Sequence, residues 1–537
     1  MCEKNISTLE LDQAVKQLKI NKSPGLDGLP SEFYQKYWDL LKINFTQVIR
    51  EIEQTEELCI SQYRGVICLL YKKGDRNDIG NWRPITLLNT DYKIIAIIYA
   101  SRLKKVLPTI IHDDQKAYLE GRQIMDSIRQ TQDIIDFSDQ LDTPGAIIFL
   151  DQKKAFDRVE WGYLKFVLEA FGFGKKFTNW ILMLYKLGQS CILTNGFLSS
   201  FFKLSRSMRQ GCPIAAYLYI LQAEPMAQTI RTSSEIKGID IPADANDRSF
   251  SAKILMFADD TQLFHSTESS IAEGFNILDL YCQASGAQLN LHKTKGLYIG
   301  QWKDKDPVLK KITWVDNADG LGVNFGYNIN YEEIWIKKFT KFKNKITAWR
   351  KRDLTMQGKK LLINSYIMSS LSFMIEAYPC HIPSKIIMET KELIADFFWS
   401  SKTWRISQKN LALRKCHGGL ELPDIDTFIK CKMLKWILRV HFTPISSWNA
   451  YGKFCISHKD NSFSTKNFLL KCTNLKGLKL NVSTFYQKCL NIWCETLAKN
   501  EICSKEDILE QPLFGNHKIS KSSKSIFYPH WSKSKRT

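Results

Sequence analysis

Apolar positions recur along this chain at two spacings, and the changes between them mark out its elements. Leu11, Ala14, Val15 and Leu18 follow the spacing of a helix, which the capping box of Ser7 and Glu10 starts. A loop over Asn21–Leu29 follows, and Pro30 opens a second helix. Gly65–Tyr71 is an apolar strand, turned by Lys72-Lys73-Gly74-Asp75. Asn81–Ile85 is an extended stretch leading into a helix that runs to about Leu103. Two further β-prone runs end in acid: Ala146–Leu150 before Asp151, and Ile254–Ala258 before Asp259-Asp260. They flank a helical segment from about Trp161 to Leu187, and Arg209–Pro213 introduces another helix.

Beyond about residue 330 the pattern becomes helical throughout. Trp335, Phe339, Phe342, Ile346 and Trp349 form an apolar stripe, surrounded by Lys337, Lys338, Lys341, Lys343, Lys345, Arg350, Lys351 and Arg352. The stripe reads as core rather than as a stacking surface for bases, and the basic face as the better candidate for phosphate contact. Ile363, Ile367, Leu371 and Met374 mark the next helix, Gly418-Gly419-Leu420 a turn, and Phe428–Val440 a further helix. The mixture of strands and helices predicts an α+β protein, and no repeat of helical-array length is visible.

Composition narrows the partners. The chain has 537 residues, enough for roughly three or four domains, and a net charge of +20 from 75 basic and 55 acidic residues. That excess suits a polyanion such as nucleic acid, or simply a basic, solvated surface. The tail from His517 carries Lys518, Lys521, Lys524, Lys533, Lys535 and Arg536 among serines and reads as disordered and able to touch nucleic acid. The 14 cysteines are scattered, without zinc-ligand spacing; Cys489 and Cys494 lack a matching His pair. Reduced thiols point to an intracellular protein, in the nucleus or the cytoplasm. No apolar signal core and no membrane span are predicted.

The two acidic signatures carry the chemistry. Three carboxylates delivered to one cleft by two strands repel one another, and no basic residue lies close in sequence to Asp259 and Asp260. A divalent cation is the simplest way to hold them together, and hard oxygen ligands suit Mg²⁺. Two metals bridged by shared aspartates are the usual arrangement for nucleotidyl transfer. Alone, Phe-Ala-Asp-Asp also fits a hairpin with a solvated acidic tip. What surrounds the two signatures gives them weight.

Read in order, the segments from about Leu9 to Val440 resemble the reverse transcriptase of non-LTR (LINE-type) retrotransposons. Lys22-Ser23-Pro24-Gly25-Leu26-Asp27-Gly28 resembles the N-terminal extension block. Asn81–Asn89 resembles the fingers motif, and Asp114-Gln115 with Gly121-Arg122-Gln123 the block after it. Phe149–Trp161, Arg209–Pro213 and Phe257–Asp260 match motifs A, B and C; Leu289–Lys295 and Leu321–Val323 resemble motifs D and E. Trp349–Gly358 and Gly418–Pro423 match the thumb and post-thumb blocks.

The resemblance implies a right-hand polymerase: N-terminal extension and fingers over 1–143, a palm with an antiparallel sheet over 144–330, a helical thumb over 331–400, and a mainly helical C-terminal region over 401–537. It implies an RNA-directed DNA polymerase that extends a primer 3′ end on an RNA template, with two Mg²⁺ ions, for which Mn²⁺ substitutes. Asp151, Asp259 and Asp260 are the implied metal ligands and catalytic residues. Lys72 and Arg83 are implied to hold the triphosphate, Arg83 as a fork; Lys72 also fits a solvated turn lysine. Phe156 is the implied steric gate against a ribose 2′-hydroxyl, with core packing the alternative. Gln210 and Gly211 are implied to contact the template–nucleotide pair. Lys293 is a candidate to protonate pyrophosphate, although Lys295 lies close and either also fits surface charge. The implied partners are an RNA template, a DNA primer or nicked target DNA, and dNTPs, with no membrane.

The sequence departs from the family at Ala215-Ala216, where Ser-Pro is usual, at Ala117-Tyr118-Leu119-Glu120, where Gly-Phe-Ile-Pro is usual, and at Asp151-Gln152-Lys153-Lys154, where Asp-Ala-Glu-Lys is common. These changes spare the carboxylates but fall where a template groove is expected. Only 21 residues precede Lys22, so the family's endonuclease is expected to come from elsewhere, and the chain reads as a polymerase fragment of a longer element protein or a truncated genomic copy. A same-class alternative, a group II intron-type maturase, is disfavoured by the thumb and post-thumb blocks. The different-class alternative is a weak or inactive retroelement remnant that only binds RNA; intact Asp151, Asp259 and Asp260 argue against it.

Overall fold

The computed structural model describes residues 2–242, 249–378, 382–400, 405–456 and 483–499, with two short strands at 520–521 and 524–525. The expectation of a disordered basic tail falls almost wholly outside the described residues.

The chain opens with helices α1 (Thr8–Gln17), α2 (Ser31–Thr55) and α3 (Ile60–Tyr63), then strands β1 (Arg64–Tyr71) and β2 (Trp82–Leu88). Helices α4 (Thr90–Ile110) and α5 (Ile124–Leu141), strand β3 (Gly145–Leu150), and helices α6 (Trp161–Ala170) and α7 (Lys175–Tyr185) follow. Next come β4 (Gln189–Thr194), β5 (Phe197–Leu198), β6 (Phe202–Lys203), α8 (Ala215–Thr232), β7 (Ile239–Pro242), β8 (Ser249–Ala252), β9 (Ile254–Phe257) and β10 (Asp260–His265). Helix α9 (Glu268–Ser285) leads to β11 (Lys295–Ile299), β12 (Thr313–Trp314), β13 (Asn317–Gly320) and β14 (Val323–Gly326). Helices α10 (Tyr331–Arg350), α11 (Met356–Leu362), α12 (Ser369–Ala377), α13 (Ser384–Trp399), α14 (Gln408–Ala412), α15 (Ile425–Phe442), α16 (Ala450–Ile456) and α17 (Thr484–Lys499) complete the described chain. The α+β expectation holds.

Several boundaries differ from the sequence expectation for local reasons. The capping box of Ser7 and Glu10 is present on α1, but Pro30 is the cap of α2 rather than its first helical residue. Helix α4 continues to Ile110 with Pro108 inside its last turn. The segment Trp161–Leu187 is two helices, broken where Gly172 takes a left-handed φ of 78°. Met356–Ala377 is one run through a π turn at Ile363–Met368.

Two sheets matter for the site. One has the order β2-β1-β4-β5, with β6 also on β4; β1 and β4 are parallel. The chain therefore leaves this sheet after β2 and returns to it about a hundred residues later, with the second sheet begun in between. That second sheet has the order β12-β11-β3-β10-β9, antiparallel across β11, β3, β10 and β9. Its odd and even residues serve different cores, as the two-residue period of a strand requires. Ile148, Leu150 and Leu263 pack with α8 and α9, whereas Ile147, Phe149 and Phe264 join a cluster shared with α5 and α10. A sheet covered on both faces reads as unbroken apolar runs, which is the pattern of β3 and β9 in the sequence. The stripe on α10 is core: Trp335, Phe339, Phe342 and Ile346 are buried, and Trp349 is half-buried.

Candidate active site

Register brings the acidic residues together. Thr261 on β10 pairs with Leu150 on β3, so one step further along Asp260 stands opposite Asp151. Asp259 sits in the two-residue turn between β9 and β10, whose last paired residues are Phe257 and Asp260. Asp151 and Asp259 line a cavity of about 830 Å³, as do Lys72, Arg83, Phe156, Gln210, Gly211 and Lys293; Asp260 is not among the lining residues. All of the candidate residues except Asp260 thus share one cavity.

The electrostatics are those of crowded carboxylates. Burial raises the pKa of Asp259; Asp151 adds to the rise while Lys72 and Arg83 oppose it. Desolvation, then the charges of Asp259 and Asp151, push Asp260 up to about 6. The cations lacking near these residues in sequence come from the hairpin of β1 and β2, where Lys72 N–H donates to the carbonyl of Asn81 at 2.9 Å.

Several of the candidates are held by neighbours. Asn290 donates from Nδ2 to a carboxylate oxygen of Asp151 at 2.9 Å and from its backbone to the Asp151 carbonyl at 2.8 Å. Asp151 N–H donates to Thr294 Oγ1 at 3.3 Å, so the Leu289–Lys295 block clamps the first aspartate. Phe156 stacks on Tyr219 of α8, centroids 4.3 Å apart, while its carbonyl accepts from Met208 N–H at 2.8 Å. The Gln210 carbonyl accepts from Thr86 N–H at 2.7 Å, and its side chain donates to Asp157 at 3.4 Å. Gly211 has a φ of 121°, and a Cβ there would stand 2.4 Å from the Thr86 carbonyl oxygen. Only glycine fits that close approach of the loop before α8 to β2.

Some residues of the site carry no sequence signal of their own. Asn290 stands out in the sequence only as part of a block. Tyr118 and Ala215-Ala216, departures from the family pattern, line the cavity. Arg209 carries no free charge to the site: it is buried, donates to the carbonyls of Tyr63 (3.0 Å) and Leu184 (2.6 Å), and lies over the Tyr92 ring.

Residues 71–325 match the family described as reverse transcriptase (RNA-dependent DNA polymerase). The chain carries a reverse transcriptase domain. It is 30% identical to the transposon TX1 uncharacterized 149 kDa protein of Xenopus laevis over 533 residues, which cover 96% of this chain and 39% of that protein. It is 23% identical to the Pol polyprotein of the type-1 retrotransposable element R2 of Popillia japonica, over 43% of this chain and 31% of that one. It is 27% identical to the probable RNA-directed DNA polymerase from transposon BS of Drosophila melanogaster, over 29% of this chain and 18% of that protein. These relatives are named as proteins of transposons or retrotransposable elements, and the chain spans well under half of their length. Apo telomerase of Candida tropicalis aligns with a TM-score of 0.36 at 11% identity, over 54% of this chain and 59% of that one. Among the described residues no helix is long and apolar enough to cross a membrane.

Proposed function

We propose that this reverse transcriptase extends a DNA primer on an RNA template by two-metal nucleotidyl transfer, with Asp151, Asp259 and Asp260 as the metal ligands. One observation carries the reading: aspartates delivered by neighbouring antiparallel strands meet at a cavity that Lys72 and Arg83 also line. Oxygen donors alone suit Mg²⁺ or Mn²⁺. Asp151, Asp259 and Asp260 would hold the ions. Bound metal would supply charge neutralisation at the reacting phosphate and lower the pKa of the primer hydroxyl.

The chain's own residues do the positioning. Lys72 and Arg83 hold the triphosphate, Arg83 as a planar fork. Gln210 and Gly211, which line the same cavity, meet the template–nucleotide pair. Phe156, its ring fixed by Tyr219, stands where a ribose 2′-hydroxyl is excluded. Exposed Lys293 is the candidate proton donor to pyrophosphate. The sheet of β1, β2 and β4–β6 is read as fingers, the sheet of β3 and β9–β11 as palm, and α10–α13 as thumb. Template RNA, a primer or nicked DNA, and dNTPs are the partners.

Primer extension on an RNA template, with and without Mg²⁺, tests this. Extension that requires the metal is expected. RNA binding without extension under any divalent cation would instead favour a remnant that only binds RNA, the outcome that the Ala215-Ala216 wall makes worth measuring.

A further inference from the structure

The Asp114-Gln115 block, with Gly121 and Arg122, is a motif that the proposed chemistry leaves without a task. The structure places it against the outer edge of the acidic sheet. Met256 N–H of the edge strand β9 donates to the Asp114 carbonyl at 2.8 Å, and Lys116 N–H donates to the Met256 carbonyl at 2.9 Å. The Gln115 side chain, 1% exposed, reaches past this pairing to the turn itself. Its Oε1 accepts from Ala258 N–H at 2.9 Å and from Ala117 N–H at 3.0 Å. Its Nε2 has no hydrogen-bond partner among the described residues, so the amide is held from its oxygen side. Arg122 in turn donates to the carbonyls of Gln115 (2.6 Å), His112 (2.5 Å) and Ile111 (3.0 Å), which fixes the backbone that carries Gln115.

Ala258 is a demanding place for such a bond. It is the first residue of the two-residue turn between β9 and β10, and its φ is +59°. A two-residue hairpin with left-handed backbone at that position ordinarily takes glycine. An alanine there is strained, and strain persists only where the surroundings hold it. The next residue is Asp259.

We infer that Gln115 is a positioning residue: by holding Ala258 N–H it fixes the turn that presents Asp259, and so sets the site's affinity for divalent cation. This rests on the proposed metal site. Gln115→Met keeps the shape and burial but removes the acceptor. Ala258→Gly makes the left-handed turn accessible without help.

The test uses the full chain bound to an RNA–DNA hybrid with a 3′-deoxy primer end and dNTP, so that no turnover occurs. Mn²⁺ binding is followed by electron paramagnetic resonance, and amide exchange over residues 254–261 by mass spectrometry. Gln115→Met should weaken Mn²⁺ binding about ten-fold, the usual cost of losing a partner that orients a ligand. It should speed exchange at Ala258 and leave hybrid affinity unchanged. Adding Ala258→Gly should restore most of the lost Mn²⁺ affinity, an effect that loss of core packing would not produce. Recovery of folding by Ala258→Gly, should Gln115→Met alone not fold, supports the same conclusion. Unchanged Mn²⁺ affinity, or a loss that Ala258→Gly does not reduce, overturns the inference and leaves the metal site standing. Fast exchange at Ala258 in the wild type also overturns it. No Mn²⁺ binding by a wild type that binds hybrid overturns the metal site and the inference together.

Discussion

At the scale of single residues, the candidate site is governed by crowding of like charge. A carboxylate whose pKa is raised on folding takes up a proton more readily in the folded protein than in the unfolded chain. Its stabilising effect is therefore complete below the ordinary carboxylate range and is lost as pH rises through the folded value. For Asp260 that value is about 6. Metal-free protein in EDTA should lose melting temperature between about pH 4 and pH 7, and Asp260→Asn should lose less over the same window. Identical pH profiles would mean that burial and the neighbouring carboxylates do not raise the pKa of Asp260. Phe156 tests the cavity's lining. Phe156→Val should raise incorporation of ribonucleotides relative to deoxyribonucleotides while lowering stability, because its ring stacks on Tyr219. An unchanged selectivity ratio in a folded, active variant returns Phe156 to core packing alone. The carboxylates are legible in sequence because they end apolar strands, whereas Phe156 is singled out only by the family resemblance. Asn290 and Tyr118 are not legible, since their partners Asp151 and the cavity wall lie far away along the chain.

At the scale of elements, helix α10 divides as its periodicity predicts. Buried Trp335, Phe339, Phe342 and Ile346 lie on one side, and Lys338, Lys341 and Lys345 are exposed on the other. Two of its cations are engaged within the protein: Lys337 with Glu333 at 2.5 Å and Arg350 with Asp396 at 2.5 Å. The exposed face is expected to meet phosphates, and its binding should be independent of sequence and sensitive to salt. Replacing Lys338, Lys341 and Lys345 together by Gln should weaken binding of a labelled RNA–DNA hybrid. The salt slope should fall by roughly one unit for each phosphate left without its lysine. Equal affinity and slope would make this face merely solvated. Strand identities are readable in the sequence, but their partners are not. Nothing in the residues of β4 announces that it returns to pair in parallel with β1, because the pairing joins residues far apart in the chain, Arg64 with Gln189.

At the scale of the whole molecule, the C-terminal helices are tied to the back of the acidic sheet through α5, a link that the sequence does not reveal. Arg129 is buried between Asp133 (2.7 Å) and Asp136 (3.2 Å), and Tyr486 of α17 donates to Asp133 at 2.8 Å. Arg439 of α15 reaches Asp126 at 2.6 Å. The same helix supports the active strands, since Thr131 donates to Gln262 of β10 at 2.6 Å. Buried charge has to be paired, so the pattern of apolar residues alone would not build this joint. Tyr486→Phe, which leaves a buried carboxylate oxygen without its donor, should cost about 1–3 kcal/mol of stability, read as a lower denaturant midpoint. No change would show that α17 is not held there in solution. The proposed chemistry as a whole stands on the acidic turn. The measurement that tests it most directly is primer extension on an RNA template by Asp259→Asn, with hybrid affinity measured in parallel. The two-metal reading predicts extension reduced by at least about a hundred-fold, the scale of losing a key electrostatic contact in the transition state, with hybrid binding retained. Extension close to that of the wild type would contradict it.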